Sequence, residues 1–196
     1  MQPVVGTPVS RQVAFVGPFG VGKTTAVCAV SDTNVTTTEV ISSALRARTG
    51  RHLKTTTTVG LEIGEWRMPT GQQIAVVGTP GQERFDIVRR TAMPRSTGVV
   101  LWLFGQHHVA TLDAELWMEF ISREVPTRKM TVAITRLDHL DGADLDRELE
   151  KFRRVIRRFD PTVPVVAADP RERADVESVL LTAMRVPARR TQEVVG

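Results

Sequence analysis

Residues 17–24 read GPFGVGKT and match the phosphate-loop pattern G-x-x-x-x-G-K-[ST] at every fixed position. An apolar run at residues 12–16 precedes the motif, and a helical pattern begins at Lys23. The loop therefore has the strand-then-helix context that this pattern requires. Glycines let the backbone fold closely around a phosphate group, and N–H groups at the start of a helix attract the anion. The motif predicts a nucleoside triphosphate site.

Two side chains of the motif carry the predicted chemistry. We expect the Lys23 ammonium to lie between the β- and γ-phosphates and to neutralise charge during catalysis, and the Thr24 hydroxyl to ligate Mg²⁺. The other ligand contacts predicted in this segment come from Gly17, Phe19, Gly20, Val21, Gly22 and Thr25.

Apolar runs alternate with helical patterns along most of the chain. The runs predict six strands, at residues 12–16, 59–66, 73–77, 99–104, 130–135 and 163–167. Helical patterns occupy residues 23–31, 111–124, 144–159 and 171–186. Strands alternating with helices predict a three-layer P-loop α/β fold, with a six-stranded, mostly parallel sheet and helices on both faces.

The connection at residues 67–72 is the exception to this alternation. It contains Pro69 and Gly71 and is too short for a helix, so the strands on either side of it should form an antiparallel hairpin. We expect one domain over residues 11–187, with loose termini at residues 1–10 and 188–196.

Composition excludes several classes of protein. The 196 residues are 41% hydrophobic and 24% charged, as in soluble globular proteins. The pI is near 10.0, but only four of the 26 basic residues are lysines and the net charge is +4, so no nucleic-acid partner is expected. One cysteine, Cys28, excludes a disulfide framework and is expected to be a small core residue. Because no apolar run could span or anchor to a membrane, we expect a cytoplasmic protein.

Residues 78–85 read GTPGQERF and follow the second hairpin strand. They resemble the D-x-x-G-Q segment of Ras-like GTPases, in which a glycine N–H contacts the γ-phosphate and the glutamine orients the attacking water. Gly81 and Gln82 match these two positions, which makes Gln82 a predicted catalytic residue. Gly78 stands where those proteins have an aspartate that supports Mg²⁺ through a water.

A threonine tract at residues 55–58 precedes Val59-Gly60 and resembles the first switch segment of the same proteins. The alignment implies that Thr58 is the second hydroxyl ligand of Mg²⁺ in the triphosphate state. Thr57 is the nearest alternative for that role.

The base site resembles the N-K-x-D motif less closely. Asp138 can accept hydrogen bonds from guanine N1–H and the 2-amino group, an edge that adenine lacks. Arg136 can lay its planar guanidinium along the base, whereas Thr135 has a shorter reach than the usual asparagine. By the same resemblance, Ala168 and Asp169 would offer backbone N–H groups to the guanine carbonyl oxygen.

Together these segments cover about residues 12–184. They resemble the small Ras-like GTPases of the actinobacterial conservon group, which are relatives of the bacterial polarity GTPases. The resemblance implies a GTP/GDP switch that uses Mg²⁺ and hydrolyses GTP slowly. It also implies a roadblock-family regulator encoded nearby, and in some mycobacterial relatives a pentapeptide-repeat protein.

Fast hydrolysis would need an arginine finger. The candidates near the switch segments are Arg46, Arg48, Arg51 and Arg84. Two other functions stay open. A nucleotide-dependent interaction module would bind nucleotide and barely hydrolyse it, as Gly78 and the altered base motif would allow. A P-loop ATPase or phosphotransferase would instead prefer adenine.

Overall fold

The structure, a computed structural model, describes residues 11–41, 58–80, 92–106 and 108–185. The strands are β1 (Gln12–Val16), β2 (Thr36–Ile41), β3 (Thr58–Arg67), β4 (Gln73–Gly78), β5 (Gly98–Phe104), β6 (Met130–Thr135) and β7 (Val165–Ala167). The helices are α1 (Lys23–Val30), α2 (Ala110–Ser122), α3 (Gly142–Arg157) and α4 (Arg173–Ala183). A 3₁₀ turn at Thr127–Lys129 leads into β6. The predicted termini at residues 1–10 and 188–196 lie outside the described residues.

The strands form one sheet in the order β2-β3-β4-β1-β5-β6-β7. β1 pairs in parallel with both β4 and β5, and β6 and β7 continue the parallel part. The predicted hairpin is present, because β3 and β4 pair antiparallel across the short connection. The α/β fold with a mostly parallel sheet is therefore confirmed.

The sheet of the described residues has seven strands rather than the six predicted. The additional strand, β2, reads TTTEVI and pairs antiparallel with β3 at the edge of the sheet. An edge strand pairs on one side only and need not be apolar on both faces. The β-branched threonines favour an extended chain, but they do not form the continuous apolar run that predicts the other strands.

Apolar side chains fill both faces of the sheet. One cluster joins alternate residues of the central strands, such as Ala14 and Leu101, to α2 and α3. The other joins the intervening residues, such as Phe15 and Trp102, to α1 and α4. Because successive strand residues point to opposite faces, each central strand must be apolar throughout. This explains why continuous apolar runs marked the parallel strands.

Cys28 is exposed, so the expectation that it belongs to the core is wrong. The buried residues of α1 are Lys23, Ala26, Val27 and Val30, which share one face of the helix. Position 28 lies outside this stripe. Among the described residues, no helix has the length and apolar character needed to cross a membrane.

Asp32 connects three elements just after α1. Its carboxylate accepts hydrogen bonds from the backbone N–H of Arg67 at 2.7 Å and from Arg173 Nη2 at 2.7 Å. Burial raises the pKa of Asp32, but the bonds from Arg67 and Arg173 outweigh it, and the net pKa is below its ordinary value. The ionised carboxylate therefore stabilises the contact between the end of α1, β3 and α4.

Replacing Asp32→Asn should lower the free energy of unfolding by about 1 kcal/mol at pH 7, because an exposed charged hydrogen bond is lost. A folded-state pKa below the unfolded value stabilises the fold above the unfolded pKa. The difference between wild type and variant should therefore shrink below about pH 4. Urea unfolding at a series of pH values measures it.

Asp146→Asn is the matched control, because that carboxylate is 75% exposed and lies 3.7 Å from Arg153. It should change the unfolding free energy by less than about 0.5 kcal/mol. A loss for Asp32→Asn that stays constant down to pH 3 would contradict the assigned ionisation.

Gly17 directly follows β1, where the chain passes very close to β5. Its φ is +136°, and a Cβ atom built there would lie 2.1 Å from the Trp102 carbonyl oxygen. Only glycine fits, because both the backbone conformation and the neighbouring carbonyl exclude a side chain. This contact fixes where the loop leaves the sheet.

Gly17→Ala should lower the unfolding free energy by about 3 kcal/mol or more, as the backbone of β5 would have to move. Gly71→Ala separates the two causes, because Gly71 has a φ of +88° and open space around it. That control should lose only about 1 kcal/mol, from its conformation. Equal losses, measured by thermal or urea unfolding, would show that the contact with Trp102 does not matter.

Candidate functional site

The phosphate loop joins β1 to α1 at the carboxyl edge of the parallel strands. The segments after β4, β6 and β7 reach the same edge, because these strands are parallel to β1. In open α/β sheets, ligands bind outside the carboxyl ends of the strands, where the strand order reverses. β1 lies between β4 and β5 at such a point. The sheet thus brings together segments that lie far apart in the sequence.

Lys23 opens α1 and is only 7% exposed. Its ammonium donates to the carbonyl oxygens of Gly17 at 2.9 Å and Pro18 at 2.7 Å. The positive charge is therefore held against the loop by the loop's own backbone. Gly22 caps the helix in a left-handed conformation, so the chain turns sharply before the helix begins.

The other residues of the predicted loop site differ in exposure. Phe19 is 73% exposed, whereas Val21 is buried in the apolar cluster, which leaves the Val21 backbone as the part able to face a ligand. Gly20, Thr24 and Thr25 are exposed.

A carboxylate that sequence reasoning did not identify meets the loop. Thr24 Oγ1 donates to Glu62 Oε1 at 2.7 Å, and Glu62 lies on β3 directly opposite Gly78 of β4. A cleft of about 350 Å³ opens here, lined by Phe19, Gly20, Gly22, Lys23, Thr24, Thr25, Gly60, Glu62, Thr79 and Pro80. The threonine hydroxyl, the carboxylate oxygens and the nearby lysine suit a phosphate with a hard cation.

A second cleft of about 310 Å³ lies on the other side of the loop. It shares Gly20, Gly22 and Thr25 with the first. Its other lining residues are Val21, Thr135, Arg136, Asp138, Asp169, Pro170 and Arg171. Both predicted halves of the site, the loop and the base segments, therefore meet in one pair of adjoining clefts.

Arg171, another residue that sequence reasoning missed, bridges the two acidic residues of the second cleft. Its guanidinium contacts Asp138 Oδ2 at 3.3 Å and both oxygens of Asp169, with Nε at 2.9 and 3.0 Å. The hydrogen bond from Arg171 lowers the pKa of Asp169 against the opposing effect of burial. The same bond raises the pKa of Arg171, so this pair stays charged. Asp138 itself remains 54% exposed.

Thr135 and Arg136 have intramolecular partners. Thr135 is 1% exposed, and its hydroxyl donates to the Leu103 carbonyl oxygen at 3.3 Å. Arg136 has a φ of +60°, and its guanidinium lies 4.6 Å from the centre of the Phe104 ring. The cation therefore stacks on an aromatic face of the protein in this conformation.

The backbone N–H groups predicted to meet a base also have partners. Ala168 N donates to the Ile134 carbonyl oxygen at 3.0 Å, and Asp169 N donates to Asp175 Oδ2 at 2.8 Å. For either N–H to reach a ligand, one of these bonds would have to exchange. Their predicted role therefore stays a prediction.

Several residues predicted to contact the nucleotide or to act in hydrolysis are not among those that the structure describes. Gly81 and Gln82 lie outside the described residues, as do Thr57 and the finger candidates Arg46, Arg48, Arg51 and Arg84. Thr58 begins β3 opposite Ile41, which places its backbone on the strand that also carries Glu62.

No protein-family model and no curated protein matches this chain. Solved structures do resemble it. The bacterial selenocysteine-specific elongation factor EF-Sec aligns over 91% of this chain with a TM-score of 0.62 and 14% identity. Elongation factor SelB from Methanococcus maripaludis, in complex with the GTP analogue GppNHp, aligns over 90% with a TM-score of 0.62 and 11% identity.

The G domain of the T. maritima FeoB iron transporter aligns over 90% of this chain and 98% of its own, with a TM-score of 0.58 and 17% identity. The chain spans only 29% and 34% of the two elongation-factor chains. At these identities the likeness shows the fold, and the fold is that of the G domain of FeoB and of part of two translation factors.

Proposed function

We propose that this chain binds GTP and GDP together with Mg²⁺ and acts as a molecular switch. The observation that carries the proposal is the pair of adjoining clefts, one at Lys23 and Thr24 and the other at Asp138. A nucleotide needs its phosphates at one end and its base at the other, and the two clefts share the phosphate loop. The fold of proteins whose structures were solved as G domains or with a GTP analogue supports guanine as the base.

The residues of the first cleft would hold the triphosphate. The Lys23 ammonium would exchange the carbonyls of Gly17 and Pro18 for phosphate oxygens, and Thr24 would offer its hydroxyl to Mg²⁺. Thr58 is proposed as the second hydroxyl. Mg²⁺ held by these hydroxyls would neutralise the negative charge that develops on the phosphates. Gln82 would orient the attacking water. We propose slow intrinsic hydrolysis, which the resemblance to the conservon group implies.

Base recognition by Asp138 requires its release from Arg171. The two side chains are 54% and 67% exposed, and exposed ion pairs contribute at most about 1 kcal/mol. The competition should weaken GTP binding by less than about fivefold. Arg171 therefore does not argue against Asp138 as the guanine-reading residue.

The proposed output is a nucleotide-dependent contact with another protein in the cytoplasm. Ordering of the two switch segments by GTP, and their release after hydrolysis, would create and remove that contact. The resemblance to the conservon group supports a roadblock-family regulator as partner, with a pentapeptide-repeat protein as a further candidate. Neither nucleic acid nor a membrane anchor is part of this proposal.

Equilibrium titration with labelled GTP, GDP and ATP tests the proposal. Wild type should bind GTP and GDP well above ATP, because Asp138 can pair with the donor edge of guanine. Asp138→Asn should weaken GTP binding about 10- to 100-fold, since a charge-assisted hydrogen bond is lost. The same variant should gain affinity for xanthosine triphosphate, whose carbonyl at position 2 matches an amide donor.

Asp144→Asn is the control, because Asp144 lies in α3 and pairs only with Arg147 among the contacts described for it. It should leave all affinities unchanged. ATP binding as tight as GTP would overturn the guanine assignment and favour a P-loop ATPase. The comparison of GTP with ATP is necessary because Thr135 has no amide donor and its hydroxyl donates to the Leu103 carbonyl oxygen.

Hydrolysis is tested separately by single-turnover assays with bound GTP. Gln82→Leu should slow the reaction at least about tenfold with unchanged GTP affinity, because the water loses its orienting group. An unchanged rate would show that Gln82 does not have this role. If wild type hydrolyses GTP no faster than buffer even with a roadblock partner, the chain is an interaction module rather than a GTPase.

A further inference from the structure

The end of β4 lacks the acidic side chain that a phosphate-loop site normally uses. Such sites hold Mg²⁺ between the loop Ser or Thr and an aspartate at the end of a neighbouring strand. β4 is the parallel neighbour of β1 on one side, with Gly78 paired to Phe15. Gly78 has no side chain to offer.

Glu62 reaches this place from the next strand. It is the register partner of Gly78 in the antiparallel β3–β4 pair, and its Oε1 accepts the Thr24 hydroxyl at 2.7 Å. A Cβ atom built on Gly78 would lie 2.9 Å from Glu62 Oε2 and 3.3 Å from Val27 Cγ2. Glu62 therefore occupies the space that a side chain at position 78 would need. A side chain at position 78 would displace the Glu62 carboxylate from this arrangement.

The hydrogen bond also orients the threonine. A hydroxyl has one donor hydrogen and two acceptor lone pairs. By taking the hydrogen, Glu62 leaves the lone pairs of Thr24 for a cation, and it adds a negative charge beside that position. Carboxylate and hydroxyl oxygens are the ligands that Mg²⁺ prefers, and its sites in proteins often use one or two carboxylates with phosphates and waters.

We propose that Glu62 supplies, from β3, the carboxylate of the magnesium site that position 78 does not provide. This inference rests on the proposed function, because Mg²⁺ would bind together with the nucleotide. Glu62 acts through Thr24 and the hydration shell of the ion, and is thus a positioning residue. Losing such an outer partner typically weakens metal binding about 10- to 100-fold.

The test measures release of fluorescently labelled GDP at increasing free Mg²⁺. Wild type should release GDP more slowly as Mg²⁺ rises, with a defined midpoint concentration. Glu62→Gln keeps the shape of the side chain and an oxygen that accepts from Thr24, but removes the charge. It should raise the midpoint about 10- to 100-fold, with each protein's midpoint measured relative to its own release without Mg²⁺. A midpoint equal to that of wild type would overturn the inference and leave Glu62 as a structural partner of Thr24.

Glu65→Gln is the matched control. It lies on the same strand three residues on, and so faces the opposite side of the sheet. Its midpoint should equal that of wild type. An equal shift in Glu65→Gln would attribute the effect to the charge of β3 in general and would also overturn the assignment.

A second design returns the carboxylate to β4. Glu62→Ala combined with Gly78→Asp removes the atom that blocks position 78 and should recover at least part of the lost Mg²⁺ dependence. Gly78→Asp alone should gain less than the double variant, because Glu62 Oε2 lies 2.9 Å from the Cβ position and would have to shift. Wild type that binds neither GTP nor GDP at millimolar Mg²⁺ would overturn the proposed function together with this inference. Wild type with a clear midpoint that Glu62→Gln shares would overturn the inference alone.

Discussion

Parallel pairing of β1 on both of its edges is the constraint on which the site depends. It places the ends of β4, β1 and β5 side by side, and β6 and β7 follow in the same direction. The close approach of Gly17 to the Trp102 carbonyl fixes the point at which the loop leaves this edge. The meeting of the loop with the segments after β4, β6 and β7 follows from this alignment, whereas Glu62 joins the site through the antiparallel pairing of β3 with β4.

Most of the sheet could be predicted because burial leaves a local trace. A strand covered on both faces must be apolar throughout, so β1, β5 and β6 were found within one residue of their observed bounds. The edge strand β2 was not predicted, because an edge strand need not be apolar on both faces. Cys28 was misplaced for a related reason, since on the short helix α1 the buried stripe is set by tertiary packing rather than by residue type.

The residues of the site also differ in whether the local sequence identifies them. The phosphate loop is a contiguous motif, so its residues are readable directly from the sequence. Glu62 was missed because its role depends on strand register. The pairing of Arg67 with Gln73 at the turn places Glu62 opposite Gly78. This register cannot be inferred from the sequence of β3 or of β4 alone. Arg171 was missed because it meets Asp138 from a different strand end, 33 residues away.

Each charged group of the site already has a partner within the protein. Lys23 is held by loop carbonyls, Glu62 by the Thr24 hydroxyl, and Asp138 by Arg171. Lys23 is buried, and a buried charge without a partner would cost several kcal/mol, so its bonds to the loop carbonyls stabilise the nucleotide-free fold. The partners are also easy to replace: neutral carbonyls, one hydroxyl and one exposed ion pair. Ligand binding at this site is therefore an exchange of weak internal partners for stronger ones, which lets the same residues serve the empty and the occupied protein.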